Sequence, residues 1–198
     1  ATFYLFMTQV IYNRTYNHNI HDYKHMYRLE IYGGLFGEDW GCNICRPFVT
    51  LLKEIPQVKD ATYISPYNNK TDVKVGNRTI AVPLIYMGKP GIEFFTGKLL
   101  SGSSKTCGDG HNVIVSRSTA EKMFGTANAA GKTFEGENGD GSKTTVTVVG
   151  VSEDMPDNCT VPNGMYLCDN ESGMTDWSEW SYYIYVRLDN GASPEKVV

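Results

Sequence analysis

Residues 112–134, NVIVSRSTAEKMFGTANAAGKTF, form the stretch that decides the fold. The run NVIVS predicts a short buried strand, and Ser116 or Ser118 is placed to cap a helix over RSTAEKMF. Gly125 follows that helix where a C-terminal glycine is expected, and KTFEGE then predicts another strand. The stretch is therefore predicted to be a strand, a helix and a second strand.

The glycines of this stretch raise the question of a phosphate-binding loop. Such a loop reads G-x-x-x-x-G-K-[ST], leaves a strand and opens a helix. Here five residues separate Gly125 from Gly131, and the segment leaves a helix and leads into a strand. Lys132 and Thr133 are therefore not predicted to bind phosphate, and a nucleotide-dependent enzyme is a less favoured hypothesis.

The composition limits the classes of partner. The chain has 198 residues, a length that fits one domain or two small ones. Its net charge is −4. It lacks the basic surface that would neutralise nucleic-acid phosphates. We therefore expect no nucleic acid as a partner.

The flanking sequence predicts more strands and helices on both sides. MYRLEIY, the helical CRPFVTLLKEI and ATYISPY predict a β-α-β unit. DVKVGNRTIAVPLIYM predicts a hairpin that turns at Gly76 and Asn77. Downstream, two strands meet at NGDG, and WSYYIYVRL is the last predicted strand.

Five pieces of this sequence, in this order, resemble the extracytoplasmic core domain of MacB-like and FtsX-like ABC-transporter permeases. They are YNRTYNHNIHDYKHMYRLE (12–30), LLKEIPQVKDAT (51–62), GIEFFTGKLLSG (91–102), the stretch 112–134, and VTVVGVSEDMPDN (146–158) followed by YYIYVRLDNGASPEKV (182–197). The resemblance covers nearly the whole chain. It departs from the family pattern at Asn13, where an aspartate is common, at PQV in place of PEV, and at Cys42 and Cys45.

The resemblance implies an α+β fold with two parts. Residues 1–91 and 158–198 would form a porter-like β-α-β subdomain, and residues 92–157 an inserted small α/β lobe. Residues 1–12 would be the outer end of a transmembrane helix. Composition alone leaves an ordinary buried helix or strand open for residues 1–12, because this apolar run is too short to span a bilayer.

The resemblance also implies a function without catalytic residues or cofactors. The domain would face the periplasm from the bacterial inner membrane and couple ATP-driven helix movement to export or partner engagement. Its partners would be a second permease copy, a cytoplasmic ATPase and, as a further candidate, a membrane-fusion protein. The alternatives are an FtsX-type regulator of an envelope enzyme, a lipoprotein-release module and, less favoured, a nucleotide- or thiol-dependent enzyme.

A rival of another class is a secreted glycoprotein. Its support is five N-x-[ST] sequons, at Asn13, Asn69, Asn77, Asn158 and Asn170. Asparagine is common in this chain, so several sequons are expected by chance. The bacterial resemblance therefore takes precedence.

Three histidines are weak candidates for a metal site. His18, His21 and His25 would share one face of an unbroken helix. However, NHNIHD is poor helix sequence and favours a solvated, locally hydrogen-bonded segment. His111, Glu121 and Asp154 are isolated, and their spacing suggests neither a triad nor an acid–base pair.

Five cysteines leave at least one unpaired if the others form disulfides. Cys159 and Cys168 are predicted as a long-range pair, because the turn-like VPNG between them can bring two strands together. Cys42 and Cys45 have C-x-x-C spacing, which suits a short bridge, a redox pair or two buried thiols.

The aromatic run WSEWSYYIY is predicted to be a strand with two distinct faces. Trp180, Tyr182 and Ile184 would lie on one face, and Tyr183 and Tyr185 on the other. One face could bind a ligand, but a strand covered on both sides is the favoured interpretation.

Overall fold

The computed structural model describes residues 2–33, 37, 39–65, 69–108, 110–137, 141–168 and 174–196. The helices are α1 (Thr2–Arg14), α2 (Phe48–Lys53), α3 (Glu93–Thr96) and α4 (Arg117–Phe124). The strands are β1 (Met26–Arg28), β2 (Ile31–Tyr32), β3 (Trp40–Gly41), β4 (Val58–Ile64), β5 (Asn69–Val75), β6 (Arg78–Met87), β7 (Ser101–Gly102), β8 (Asn112–Ser116), β9 (Thr133–Glu137), β10 (Lys143–Ser152), β11 (Met165–Cys168) and β12 (Tyr183–Leu188). The mixture of helices and strands confirms the predicted α+β class.

Six strands close into a ring. Their order is β6, β11, β8, β10, β9 and β5, and β5 pairs back onto β6. β10 runs parallel to β8 and β11 runs parallel to β6, while the other neighbours in the ring are antiparallel. From the end of β6, where Met87 pairs with Ile64 of β4, the sheet continues outward through β4, β12 and β1. The ring and this outer sheet therefore share strand β6.

Three groups of buried side chains hold these layers together. The first fills the space between the ring strands and α4 and includes Val82, Val115, Met123 and Val148. The second joins α3 to the centre of the sheet and includes Phe94, Phe95, Ile114, Tyr166 and Tyr185. The third packs α2 against β4 and β12 and includes Val49, Leu52, Ala61, Ile184 and Val186.

Helix α4 has the two ends that the sequence predicts. The Ser116 side chain accepts a hydrogen bond from the Thr119 backbone N–H at 3.4 Å, so Ser116 is the N-cap. Gly125 has a φ of 72°, the left-handed geometry of a helix-ending glycine. Asp154 also accepts from the Ser118 backbone N–H at 3.0 Å, which ties the helix start to the chain after β10.

The N-terminal segment forms helix α1, and its described side chains lie largely in solvent. Met7, Ile11 and Tyr12 are 38%, 58% and 40% exposed. Met7, Ile11 and Tyr12 therefore lie outside the buried core of the domain, and the alternative of an ordinary buried element stays untested for residues 1–12 as a whole. Among the described residues, no helix combines the length and apolar character needed to cross a membrane. The assignment of residues 1–12 to the end of a transmembrane helix stays a prediction.

The division into residues 1–91 with 158–198 and residues 92–157 also stays a prediction. The sheet is continuous between the two parts, because β5 pairs with β9 and β11 pairs with β8. Any two subdomains in this chain therefore share one hydrogen-bonded sheet.

Strand β7 pairs with β10 at very short range, and a substitution of one glycine tests this close approach. Gly102 lies opposite Gly150, beside an irregularity in the β10 register, and has a φ of +81°. A Cβ on Gly102 would lie 2.0 Å from the Val149 carbonyl oxygen, whereas a Cβ on Gly125 would meet nothing within 4 Å.

We expect Gly102→Ala to lower the free energy of unfolding by about 3 kcal/mol or more. The alanine would have to adopt a left-handed conformation, and the backbone of β10 would also have to move away from its Cβ. Gly125→Ala is the matched control, and its left-handed conformation alone should cost about 1–2 kcal/mol. Urea unfolding of both variants measures the difference. Equal losses would contradict the close approach of β7 and β10.

Candidate functional site

The candidate functional site is the junction at which helix α1 joins the folded domain. We define the junction as residues 12–17 together with residues 157–160. The Asn17 backbone N–H donates to the Asn158 carbonyl at 2.9 Å. The Asn17 side-chain amide donates to Thr160 Oγ1 at 2.8 Å and accepts from the Thr160 backbone N–H at 2.7 Å. Asn17 has a φ of 63°, a conformation that asparagine tolerates better than most residues.

Asn158 and Tyr12 attach the last turn of α1 to the same loop. The Asn158 side-chain amide donates to Thr15 Oγ1 at 2.9 Å and to the Tyr12 carbonyl at 3.4 Å. The Tyr12 hydroxyl donates to the Asp157 carbonyl at 2.9 Å. Carbonyls in the last turn of a helix have no partner within the helix, so these contacts both satisfy and orient the helix end. The direction of α1 is therefore tied to the loop that follows β10.

A second attachment follows a few residues later, at Arg187. Its guanidinium donates to the His21 carbonyl at 3.0 Å and to the Phe94 carbonyl, and it lies 4.5 Å from the centre of the Phe94 ring. The His21 backbone N–H donates to the Phe95 carbonyl at 2.6 Å. Arg187 is only 7% exposed. One buried side chain therefore joins the segment after α1, helix α3 and strand β12.

The sheet register shows why these contacts meet. β1 is antiparallel to β12, and Met26 pairs with Arg187. The chain therefore reaches the outer sheet at the same end at which β12 leaves it. A displacement of the segment that precedes β1 acts directly on the end of β12.

Burial and neighbouring groups shift the pKa values of the ionisable side chains around Arg187. Burial lowers the pKa of the Arg187 guanidinium, while Asp22 and Asp60 act to raise it. An arginine stays charged in proteins, so its cation needs the two carbonyl acceptors. The hydrogen bond from His25 holds the pKa of the Asp22 carboxyl below its usual value. Burial raises the pKa of Tyr185, next to this region, to about 12.

The three candidate metal ligands have separate partners. His18 stacks on the Tyr23 ring with centroids 4.4 Å apart, and His25 Nδ1 lies 2.7 Å from Asp22 Oδ1. The His21 ring faces Gly97, close enough that a Cβ there would lie 2.8 Å away. Within the described part of the chain, no group of three or more His, Cys, Asp or Glu side chains is arranged to hold a metal ion.

The cysteines are free thiols in the structure, and one of their contacts was not anticipated. Cys107, which belongs to neither predicted pair, lies next to Cys168 and is the leading cause of the raised pKa of the Cys168 thiol. Cys159 interacts with the Asn19 side chain and with the backbone of Val161. The predicted Cys159–Cys168 and Cys42–Cys45 bridges are untested and stay predictions.

The remaining motif residues are spread over the structure. The segment after α4 is a helix-to-strand turn, as predicted, and Lys132 Nζ lies 5.8 Å from the centre of the Phe124 ring. His111 Nδ1 lies 3.1 Å from Thr144 Oγ1, and Glu121 is exposed. Asp154 caps the start of α4.

The aromatic strand β12 is covered on both faces, as favoured from the sequence. Tyr182 and Ile184 belong to the core beneath α2, whereas Tyr185 belongs to the core beneath α3. This strand therefore serves packing and carries Arg187 to its buried position.

Comparisons with known proteins agree with this geometry. The family model described as "MacB-like periplasmic core domain" matches residues 17–198. The chain belongs to this family. None of the curated proteins matches the chain significantly.

Solved structures show the same fold. A domain of a putative permease protein from Porphyromonas gingivalis has a TM-score of 0.74 at 24% identity, over 90% of this chain and 81% of that chain. The periplasmic region of MacB from Actinobacillus actinomycetemcomitans has a TM-score of 0.59 at 16% identity, over 92% and 80%. The extracellular domain of the noncanonic ABC-type transporter YknZ from Gram-positive bacteria has a TM-score of 0.56 at 16% identity, over 87% and 88%.

Membership of the MacB-like family places the junction in a transporter context. The family is a periplasmic or extracellular domain of ABC-transporter permeases. The family match begins at Asn17, the residue at which α1 becomes hydrogen-bonded to the domain. Sequence reasoning did not single out Asn17 or Arg187. An asparagine just after a predicted helix could have indicated Asn17, whereas no feature of the neighbouring sequence indicates Arg187.

Arg187→Met tests the second attachment. We expect the free energy of unfolding to fall by about 2–4 kcal/mol, because two buried carbonyls lose a charged donor. Arg28→Met is the matched control, since Arg28 lies 5.7 Å from the centre of the Tyr183 ring but its side chain is 42% exposed and pairs with Glu30. The control should lose less than about 1 kcal/mol in urea unfolding. If both variants lost a similar amount of unfolding free energy, Arg187 would stabilise the domain no more than an exposed arginine does.

Proposed function

We propose that this domain couples movement of permease membrane helices to export or partner engagement outside the inner membrane. In this proposal, α1 continues a membrane helix into the periplasm. The domain itself performs no chemistry. It moves as a body when the helix moves.

The observation that carries the proposal is the junction. A helix transmits force to a domain only if its end is held in a defined direction. Tyr12, Asn17 and Asn158 supply such a connection through backbone and side-chain hydrogen bonds. Arg187 then links the following segment to β12 and α3, so displacement reaches the sheet and its core rather than a loose linker.

The comparisons support the setting of this proposal. Two of the similar structures are named as the periplasmic region of MacB and the extracellular domain of the transporter YknZ. A second permease copy and a cytoplasmic ATPase are the proposed partners, and a membrane-fusion protein is a further candidate. Closing of the ATPases would bring two copies of the domain together by rigid-body movement.

Loosening the junction should uncouple transport from ATP hydrolysis. In the full-length transporter, we expect Asn17→Ala with Asn158→Ala to lower transport about tenfold at an unchanged ATPase rate, which corresponds to a coupling free energy of about 1.4 kcal/mol. Transport and ATP hydrolysis are measured together in reconstituted vesicles. Membrane abundance and the melting temperature of the domain show whether the variant is folded.

Asn128→Ala is the matched control, because Asn128 is exposed in the turn between α4 and β9. Single alanines at His111, Glu121 and Lys132 should also leave transport unchanged. The proposal fails if the double variant transports normally. It also fails if one of the three single alanines abolishes transport in a folded protein, since that result would require an active site.

A further inference from the structure

We propose that Cys107 and Cys168 form a disulfide bond in the protein once it has left the cytoplasm. The bond would join the loop before β8 to the last residue of β11. This pairing differs from the Cys159–Cys168 pairing that the sequence suggests.

Independent contacts bring the two residues to one place. β11 is antiparallel to β8, with Met165 opposite Val115 and Tyr166 opposite Ile114. Continuing this register by two residues puts Cys168 opposite Asn112. Cys107 Sγ lies 3.8 Å from the Asn112 carbonyl.

The loop that carries Cys107 is held beside Asn112 by a further bond. The Asn112 side-chain amide donates to the Thr106 carbonyl at 3.1 Å. Both thiols are 2% exposed and belong to the same buried cluster. Within it, Cys107 is the leading cause of the raised pKa of the Cys168 thiol, so the two side chains are neighbours.

Cys159 packs against the same buried cluster, but the contacts of the other cysteines favour Cys107 as the partner of Cys168. A Cβ on Gly91 would lie only 2.9 Å from Cys168 Sγ, so the chain after β6 closes one side of the thiol. Cys45 belongs to a different buried region, next to Ile44 beneath α2. Cys159 interacts instead with Asn19 and the Val161 backbone.

The chemistry requires an oxidant, and we assign this role to the disulfide of an extracytoplasmic thiol–disulfide oxidoreductase. The two S–H bonds of Cys107 and Cys168 break and one S–S bond forms. Two electrons reduce the disulfide of the oxidoreductase, and the two protons given up by Cys107 and Cys168 complete its dithiol, so the exchange releases no net proton. Compartments outside the bacterial cytoplasm sustain this direction of exchange.

The bond should form before packing is complete. The neighbouring Cys107 side chain and burial both raise the pKa of Cys168, so the thiolate that exchange requires is disfavoured in the folded protein. Once formed, the bond closes a loop of roughly 60 residues, which restricts the unfolded chain. Burial also shields it from reductants. Its role would be to fix the loop before β8 to the end of β11 within the ring.

Two variants with two cysteines each test the pairing directly. The first carries Cys42→Ala, Cys45→Ala and Cys159→Ala and keeps Cys107 with Cys168. The second carries Cys42→Ala, Cys45→Ala and Cys107→Ala and keeps Cys159 with Cys168. Each is unfolded and then refolded with a glutathione redox buffer, and free thiols are alkylated under denaturing conditions before mass measurement.

We expect the first variant to show no alkylated thiol and the second to show two. Each variant is also unfolded, reduced and refolded with its thiols kept reduced. The melting temperature of the first variant should then be roughly 5–15 °C lower than in its oxidised form, and that of the second should be unchanged. A non-reducing peptide map of the unaltered protein, secreted into an oxidising compartment, should contain the 107–168 linkage.

Two alkylated thiols in the first variant, or a 159–168 linkage in the secreted protein, would overturn the proposal. If the first variant fails to fold, the peptide map of the unaltered protein decides the question by itself. None of these measurements involves transport, so their outcome is independent of the coupling function.

Discussion

The architecture depends on the buried cation of Arg187. A charge taken out of water is tolerated only where acceptors surround it, and here the acceptors are the His21 and Phe94 carbonyls and the face of the Phe94 ring. These acceptors belong to two separate parts of the chain, and Arg187 itself belongs to a third, strand β12. Satisfying one guanidinium therefore requires the segment after α1, helix α3 and the last strand to assemble together. Few apolar contacts impose such a condition, because burial of apolar surface has no preferred direction.

This condition connects the outer sheet to the ring. The outer strands β4, β12 and β1 meet the ring at β6, and the chain after β6 leads into α3. Phe95 of α3 packs edge-on against Tyr185 of β12, with ring centroids 5.5 Å apart. Arg187 and this aromatic pair attach α3 to β12. The same buried core contains Ile114 and Tyr166, which belong to ring strands. A displacement that starts at α1 consequently has a packed route to the ring.

The sequence predicted those features that depend on neighbours within a few residues. Ser116 and Gly125 marked both ends of α4, because capping is local chemistry. Alternation along β12 predicted which of Tyr182 and Tyr185 faces which side. Closure of the ring, the Asn17–Thr160 bonds and the contact of Cys107 with Cys168 escaped prediction. Each joins residues far apart in sequence, and nothing in a single sequence records which distant residues meet. The family resemblance is confirmed because it rested on the order and spacing of motifs over the whole chain, but it did not predict these contacts either.

The carboxyls with lowered pKa values are spread over the described part of the structure rather than gathered in one cleft. Catalytic sites gather groups with shifted pKa values in one cleft. Among the described residues, the lowered carboxyl pKa values belong to Asp22, Glu135, Asp176 and Glu195, and each has a hydrogen bond to a neighbouring side chain as its leading cause. These carboxyls lie on separate elements of the fold, and their partners are a histidine, a lysine and two serines. Such shifts report local pairing on a surface. In contrast, the polar contacts that span the largest distances along the chain converge on the end of α1 and on Arg187.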